Sequence, residues 1–261
     1  TLIAVPTHEY HHADFTRSLM ELDKPEGTGF AMITNTLIYT ARNVIAEKAV
    51  QAGFDRVLWL DSDMIFPHDT LIRLAEDMDN GDLDLVTGLY FTRKEPIVPT
   101  LHKEIHWRIK DDGWVDGGAT LYRDYPINQV FEIAGCGFGC VMTSARLLKR
   151  MNEKFGSPFY PLMGMGEDST FCFRATEDGF RLYCDSRIKC GHIGHKEYDE
   201  SFYFEFKDDK VAPKKLMEEV SAFCLTGIGD NGLPFTPSPD PLLAELQPLV
   251  SGLKITEEAQ D

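Results

Sequence analysis

Two carboxylates flanking one serine close an apolar run. Val57-Leu58-Trp59-Leu60 is followed at once by Asp61-Ser62-Asp63, then by Met64-Ile65-Phe66-Pro67. Acids at the end of a buried strand stand at the carboxyl edge of a sheet, where open α/β folds bind ligands. An Asp-x-Asp there suits a divalent cation and, through it, a polyphosphate. Asp and Ser also favour turns and helix caps, so the pair alone leaves a plain turn open. Two more loop edges carry reactive groups: Glu167-Asp168 behind Gly164-Met165-Gly166, and His192 behind Gly191. Acids favour helix starts, so Glu167-Asp168 by itself reads as an N-terminal pair. His8, His11 and His12 cluster in one polar loop, which suits metal ligation but fits a solvated loop better. Arg42 follows Ala41 on the apolar side of a helix. An Arg beside a buried stripe needs an anionic partner, either a structural acid or a nucleotide phosphate or base.

These groups need a sheet to hold them. Leu2 to Val5 is a first buried strand that stops at the Pro6-Thr7 loop. Thr34 to Ala52 has helical apolar spacing, with Thr34 or Asn35 as cap and Gly53 as stop signal. The run ending at Asp61 has consecutive apolar residues, as in a strand covered on both faces. Thr70 to Met78 is a second helix and Asp84 to Tyr90 a third core strand. The alternation predicts parallel pairing with right-handed crossovers. Residues 100 to 130 form a β excursion with a turn at Asp111-Asp112-Gly113. Val130 to Cys140 is expected as one strand whose Gly135, Gly137 and Gly139 leave one face bare for a ligand or another backbone. Ser144 to Lys154 and Ser169 to Asp178 are helices, and Phe180 to Asp185 and Ile188 to Ile193 are strand pieces. Beyond Tyr198 the expectations are a helix over Lys214 to Leu225, a linker over 226–241, a helix over Leu242 to Leu253 and a loose acidic end.

A chain of 261 residues, 43% of them hydrophobic, can bury a sizeable core. Its net charge of -16 argues against broad nucleic-acid binding, which needs Lys and Arg along phosphates. Six scattered cysteines point to reduced thiols and a cytoplasmic setting. No apolar run approaches the ~20 residues of a membrane span, and no signal peptide is evident.

The ordered set of motifs resembles the GT-A nucleotide-sugar glycosyltransferases, and within them the compact, family-2-like inverting type found in bacteria and phages. The motifs are Arg42-Asn43; Leu58-Trp59-Leu60-Asp61-Ser62-Asp63-Met64 with Phe66-Pro67; Gly88-Leu89-Tyr90-Phe91-x-Arg93; the glycine-rich stretch 135–140; Gly166-Glu167-Asp168-x-x-Phe171-Cys172-x-Arg174; and Gly179 with Gly191-His192. They span about residues 1–196. The resemblance implies an α/β fold of GT-A type, Rossmann-like, with a mostly parallel central sheet flanked by helices. It implies a catalytic domain over 1–198 and a C-terminal extension over 199–261.

Roles follow from the same resemblance. Asp63 would coordinate Mn²⁺ or Mg²⁺ bridging the donor diphosphate. Asp61 would contact ribose or reach the metal through water, with Ser62 beside the donor. His192 resembles a downstream third ligand, and an imidazole favours Mn²⁺ over Mg²⁺. A zinc site of Cys184, Cys190 and His192 is a poorer alternative, because no fourth ligand is evident. Asp168 would be the general base and Glu167 its neighbour at the acceptor. Thr7, then Arg42, would meet base and ribose, Arg93 the donor phosphate or sugar, and Lys196 would sit on a lid. Tyr90, Trp107 and Trp114 are candidates for stacking on sugars, though core packing is the commoner fate of aromatics.

The implied activity moves a sugar from a UDP- or GDP-sugar to a hydroxyl acceptor: saccharide, lipid-linked, protein or modified base. Other readings are a retaining enzyme of the same fold, a nucleotidyltransferase and an inactive nucleotide-sugar-binding module. Homo-oligomerisation through the C-terminal extension is also expected.

Overall fold

A computed structural model of the chain describes residues 1–206 apart from Glu9, Asp112, His195 and Lys196. The expected elements beyond residue 206, and the expected lid residue Lys196, lie outside the described residues.

The first half contains strand β1 (Leu2–Pro6), helix α1 (Ala13–Glu21), β2 (Gly29–Ile33), α2 (Ile38–Gln51), β3 (Arg56–Leu60), β4 (Met64–Ile65), α3 (Thr70–Gly81) and β5 (Leu85–Leu89). Then come β6 (Leu101–Ile109), β7 (Val115–Leu121), β8 (Val130–Ile133), β9 (Gly135–Cys136), β10 (Cys140–Ser144), α4 (Ala145–Phe155) and α5 (Glu167–Glu177). Strands β11 (Leu182–Lys189), β12 (Gly191–Ile193) and β13 (Glu197–Tyr198) precede α6 (Glu200–Phe206).

Seven strands form the central sheet in the order β2-β1-β3-β10-β5-β11-β8. The pairings β1–β2, β1–β3 and β5–β11 are parallel, while β10 and β8 run against their neighbours. Five strands therefore share one direction, and their carboxyl ends gather at one edge. The consecutive apolar residues of β3 have a simple cause. Val57 and Trp59 enter one core, and Leu58 and Leu60 enter the other on the opposite face. The indole N–H of Trp59 donates to Thr143 Oγ1 of β10 at 2.9 Å, so the largest side chain of the strand has no orphaned donor.

Several expectations need correction. Strands β3 and β5 do not pair; antiparallel β10 lies between them. Helix α2 starts at Ile38, because Asn35 adopts φ 57 and breaks the path from Thr34. Helix α1 and strand β2 were not expected. The helix is only nine residues long, and β2 is a half-buried edge strand, so neither leaves a strong periodic signal. The stretch from Val130 to Cys140 is three pieces, β8, β9 and β10, with a bend at residues 137–139. Its bare glycine face receives protein. A Cβ on Gly137 would strike the Tyr90 hydroxyl, and one on Gly139 would stand 2.9 Å from Tyr90 Cζ.

The β6–β7 hairpin matches its sequence signal, while α4 starts at Ala145, one residue past the expected Ser144, which caps it instead. Ser144 Oγ accepts from the Leu147 N–H at 3.0 Å. Helix α6 lies past the expected boundary at residue 198, yet its Tyr203 is buried in the main core and stacks on Phe91 at 4.8 Å. Among the described residues no helix is long and apolar enough to cross a membrane.

Candidate active site

At the carboxyl edge, β3 ends in a turn. Met64 N–H donates to Asp61 O at 3.2 Å, and Asp61 N–H donates to Gly139 O at 3.0 Å. The turn sends the chain into β4, which pairs antiparallel with β12 so that Met64 faces His192. The Ile193 N–H donates to Asp63 O at 2.7 Å. A short two-strand pairing thus carries His192 to Asp63, which no local sequence signal could have shown.

His192 Nδ1 lies 2.8 Å from Phe91 O, and its Nε2 lies 3.6 Å from Asp63 Oδ2. A carbonyl only accepts, so Nδ1 carries the proton. A neutral ring then turns the Nε2 lone pair toward a carboxylate oxygen. A proton or a cation between them removes that repulsion. Two ligands at ~2.1 Å and a right angle on a divalent ion stand ~3 Å apart, so a small adjustment would seat one. The backbone bond to Nδ1 is the outer-shell contact that metal-ligating histidines make. The residues present therefore fit Mn²⁺ or Mg²⁺, which Asp63 and His192 would hold. Burial works against the Asp63 carboxylate, but positive charge on a protonated His192 and on Arg93 outweighs it and holds the group below its usual range. Arg93 is half exposed and pairs with Asp63 Oδ2.

Asp61 faces the other way. Its Oδ1 accepts from Arg42 Nη2 at 3.0 Å. Arg42 is 1% exposed and is the hub of three acids: Glu167 Oε1 lies 3.9 Å from Nε and Asp168 Oδ1 lies 3.6 Å from Nη2. Its guanidinium also covers the Phe138 ring at 5.2 Å. Of the partners allowed by sequence, these are the structural acids. Burial raises the Asp61 carboxyl beyond what Arg42 offsets.

Asp168 opens α5, with Gly166 at the cap position. The Asp168 Oδ2 accepts from the Phe138 N–H at 3.1 Å. Burial, with the negative charges of Glu167 and Asp61, pushes its carboxyl up to about 8, against the pull of Arg42 and the Phe138 N–H. A carboxylate in that range suits a general base at neutral pH.

Sequence reasoning missed the residues that hold this edge together. Asn43 Oδ1 accepts from Phe159 N–H at 2.9 Å, and Arg174 Nη1 donates to Pro158 O at 2.7 Å and Tyr160 O at 3.0 Å. Both fix the loop that leads into α5, and Phe159 stacks on Phe171 at 4.3 Å. Asn43 and Arg174 were visible as motif positions, but their shared target was not. Thr7 is buried with an unpartnered Oγ1 at the end of β1, and its N–H donates to Ile33 O at 2.9 Å. His12 caps α1 through Nδ1 and its N–H reaches Ser62 O at 3.3 Å, tying the histidine loop to the acid turn. His11 packs edge-on against Phe15. Tyr90 is buried, which removes it from sugar stacking, and Trp107 donates to Met163 O at 2.9 Å, while Trp114 is exposed. Cys184, Cys190 and His192 do not form a zinc site. Among the described residues no three His, Cys, Asp or Glu side chains form a ready metal cage, and the five described cysteines are free thiols.

No family model matches the chain, and no curated protein matches it. Among solved structures, A197 from STIV aligns with a TM-score of 0.53 at 17% identity, covering 74% of this chain and 85% of that one. With the topology above, that likeness settles the architecture. The chain has a GT-A fold. Weaker likenesses are to GalNAc-T7 with UDP, GalNAc and Mn2+ (TM-score 0.49, 11% identity, 74% of this chain and 43% of that one) and to S. aureus TarS 1-349 with UDP-GlcNAc (TM-score 0.43, 15% identity, 86% and 71%). In GT-A terms the acid turn, His192 and Asp168 all lie around the carboxyl edge of the sheet.

Proposed function

We propose that the chain is a divalent-metal-dependent glycosyltransferase that moves a sugar from a UDP- or GDP-sugar to a hydroxyl acceptor with inversion. The observation that carries this reading is the pairing of Asp63 with a tautomer-fixed His192 in the same cleft as the raised carboxyl of Asp168. In this reading Asp63 and His192 would hold Mn²⁺ or Mg²⁺, and the ion when bound would supply positive charge that favours diphosphate departure. Asp168 takes the proton of the acceptor hydroxyl as its oxygen bonds to the anomeric carbon. The bond from that carbon to the diphosphate breaks on the opposite side, and the electron pair leaves with the nucleoside diphosphate. Arg93 brings a second positive charge to the diphosphate, and Thr7 Oγ1 offers a hydroxyl to the nucleoside. The catalytic domain is residues 1–198 with α6 docked on it, and the rest of the extension serves acceptor or subunit contacts.

Release of free UDP or GDP from a panel of nucleotide sugars, with and without Mn²⁺, tests the reading. The expected result is Mn²⁺-dependent release with one donor class and a product of inverted anomeric configuration by NMR. No release and no metal-dependent nucleotide binding with any donor would sink it. His192→Ala should weaken Mn²⁺ binding by at least the ~10- to 100-fold typical of outer-shell losses, measured by titration calorimetry. Unchanged affinity would remove His192 from the ligand set.

A further inference from the structure

Tyr90 follows β5 and is 4% exposed, yet it touches both halves of the candidate site. Its Oη accepts from the Gly139 N–H at 2.9 Å. The carbonyl of the same Gly139 accepts from Asp61 N–H at 3.0 Å, and the preceding Phe138 N–H donates to Asp168 Oδ2 at 3.1 Å. One phenol oxygen therefore sets the height of a bend whose two peptides meet Asp61 and Asp168. On its other side the Tyr90 ring meets the His192 ring in a T-shape, with centroids 5.6 Å apart and planes at 81°. The bend can sit this low only because Gly137 and Gly139 lack side chains; a Cβ at either would collide with Tyr90. The glycine alternation and the tyrosine form one device. A ring with no hydroxyl would still fill the space and still steady His192, but it would free the Gly139 amide.

We propose that Tyr90 is a positioning residue that couples the two halves of the site, its hydroxyl fixing the bend that orients Asp168 and Asp61 and its ring fixing His192. The kinetic consequence rests on the glycosyltransferase reading; the structural coupling does not.

The two roles separate in two variants. Tyr90→Phe removes the hydroxyl alone, and Tyr90→Leu removes the ring contact as well. In Tyr90→Phe, hydrogen exchange should quicken at the Gly139 amide and at the Phe138 amide, which is bonded to Asp168 rather than to Tyr90. The rate constant kcat should fall about 10- to 100-fold, as expected for a misplaced reacting group, with the donor KM within about threefold of wild type. Mn²⁺ affinity should hold in Tyr90→Phe and drop in Tyr90→Leu. Exchange at both amides and kcat equal to wild type in Tyr90→Phe would overturn the proposal. So would an equal fall in melting temperature in both variants with exchange raised throughout the chain, since that marks a residue that only packs. If the wild-type protein releases no nucleotide from any donor, the function reading fails. The Tyr90 proposal is then decided by the exchange data alone: quickening confined to residues 138 and 139 supports it, and no change refutes it.

Discussion

Asp168→Asn should lower kcat by about three orders of magnitude while leaving nucleotide-sugar and Mn²⁺ binding within a few-fold. The amide keeps the shape of the side chain, and its oxygen can still accept the Phe138 N–H now held by Oδ2. What it loses is basicity, and a positioned base is worth roughly 10²- to 10⁴-fold. The variant should also be no less stable than wild type, because the carboxyl sits among Glu167 and Asp61 in a crevice that disfavours its charge. The pH dependence has a defined sign. The base works deprotonated, so kcat/KM should rise with pH through a midpoint at about pH 8, well above the ordinary carboxylate range, and level off only above it. Glu167→Gln removes a like charge beside it and should move that rising limb to lower pH. Steady-state kinetics across pH 5 to 9, with direct donor titrations, check both statements. An Asp168→Asn enzyme within tenfold of wild type would remove Asp168 as the base.

The largest loss of stability should come from Arg42→Met. Its side chain is buried among Asp61, Glu167 and Asp168, and removing the cation leaves carboxylates in the cleft with no counter-charge. Breaking a buried pair in this way typically costs about 3–5 kcal/mol. The loss should shrink in acid. Burial already raises the Asp61 and Asp168 carboxyls against the pull of Arg42, and without that pull they bind protons still more tightly in the folded chain than in the unfolded one, so folded stability recovers as pH falls. Urea unfolding at pH 8 and pH 5 measures the difference. Arg42→Met within 1 kcal/mol of wild type at pH 8 would show that the acids do not depend on this hub. Arg42→Lys should recover only part of the loss, since one ammonium cannot present the guanidinium fork to three acids at once.

Much of the scaffold was legible because its signals are local. The apolar run ending at Asp61 marks a strand covered on both faces, and the two cores on either side of β3 bear this out. The Gly53 stop and the Gly166-Glu167-Asp168 helix start act within one turn of the chain, so their residue types suffice. Weak local signals failed. The short helix α1, the edge strand β2 and the place of β10 between β3 and β5 depend on which strand reaches which neighbour. Val130 to Cys140 has the alternation of a strand, but the bend at Gly137 exists because Tyr90 lies beneath it.

The sequence by itself determined the chemical inventory: two acids at a strand end, an acid pair at a helix start, a distant histidine, and glycines where side chains would collide. Only the tertiary structure decided the division of labour among them. It turned Asp61 toward Arg42 and left Asp63 for His192, and it gave Arg42 to the acids. It also set Asp168 against the Phe138 amide and raised its carboxyl to about 8. The physical reason is that a charge takes its role from burial and from the charges within ~4–6 Å of it. Those neighbours come from strands and helices far apart in the chain, and only folding brings them together.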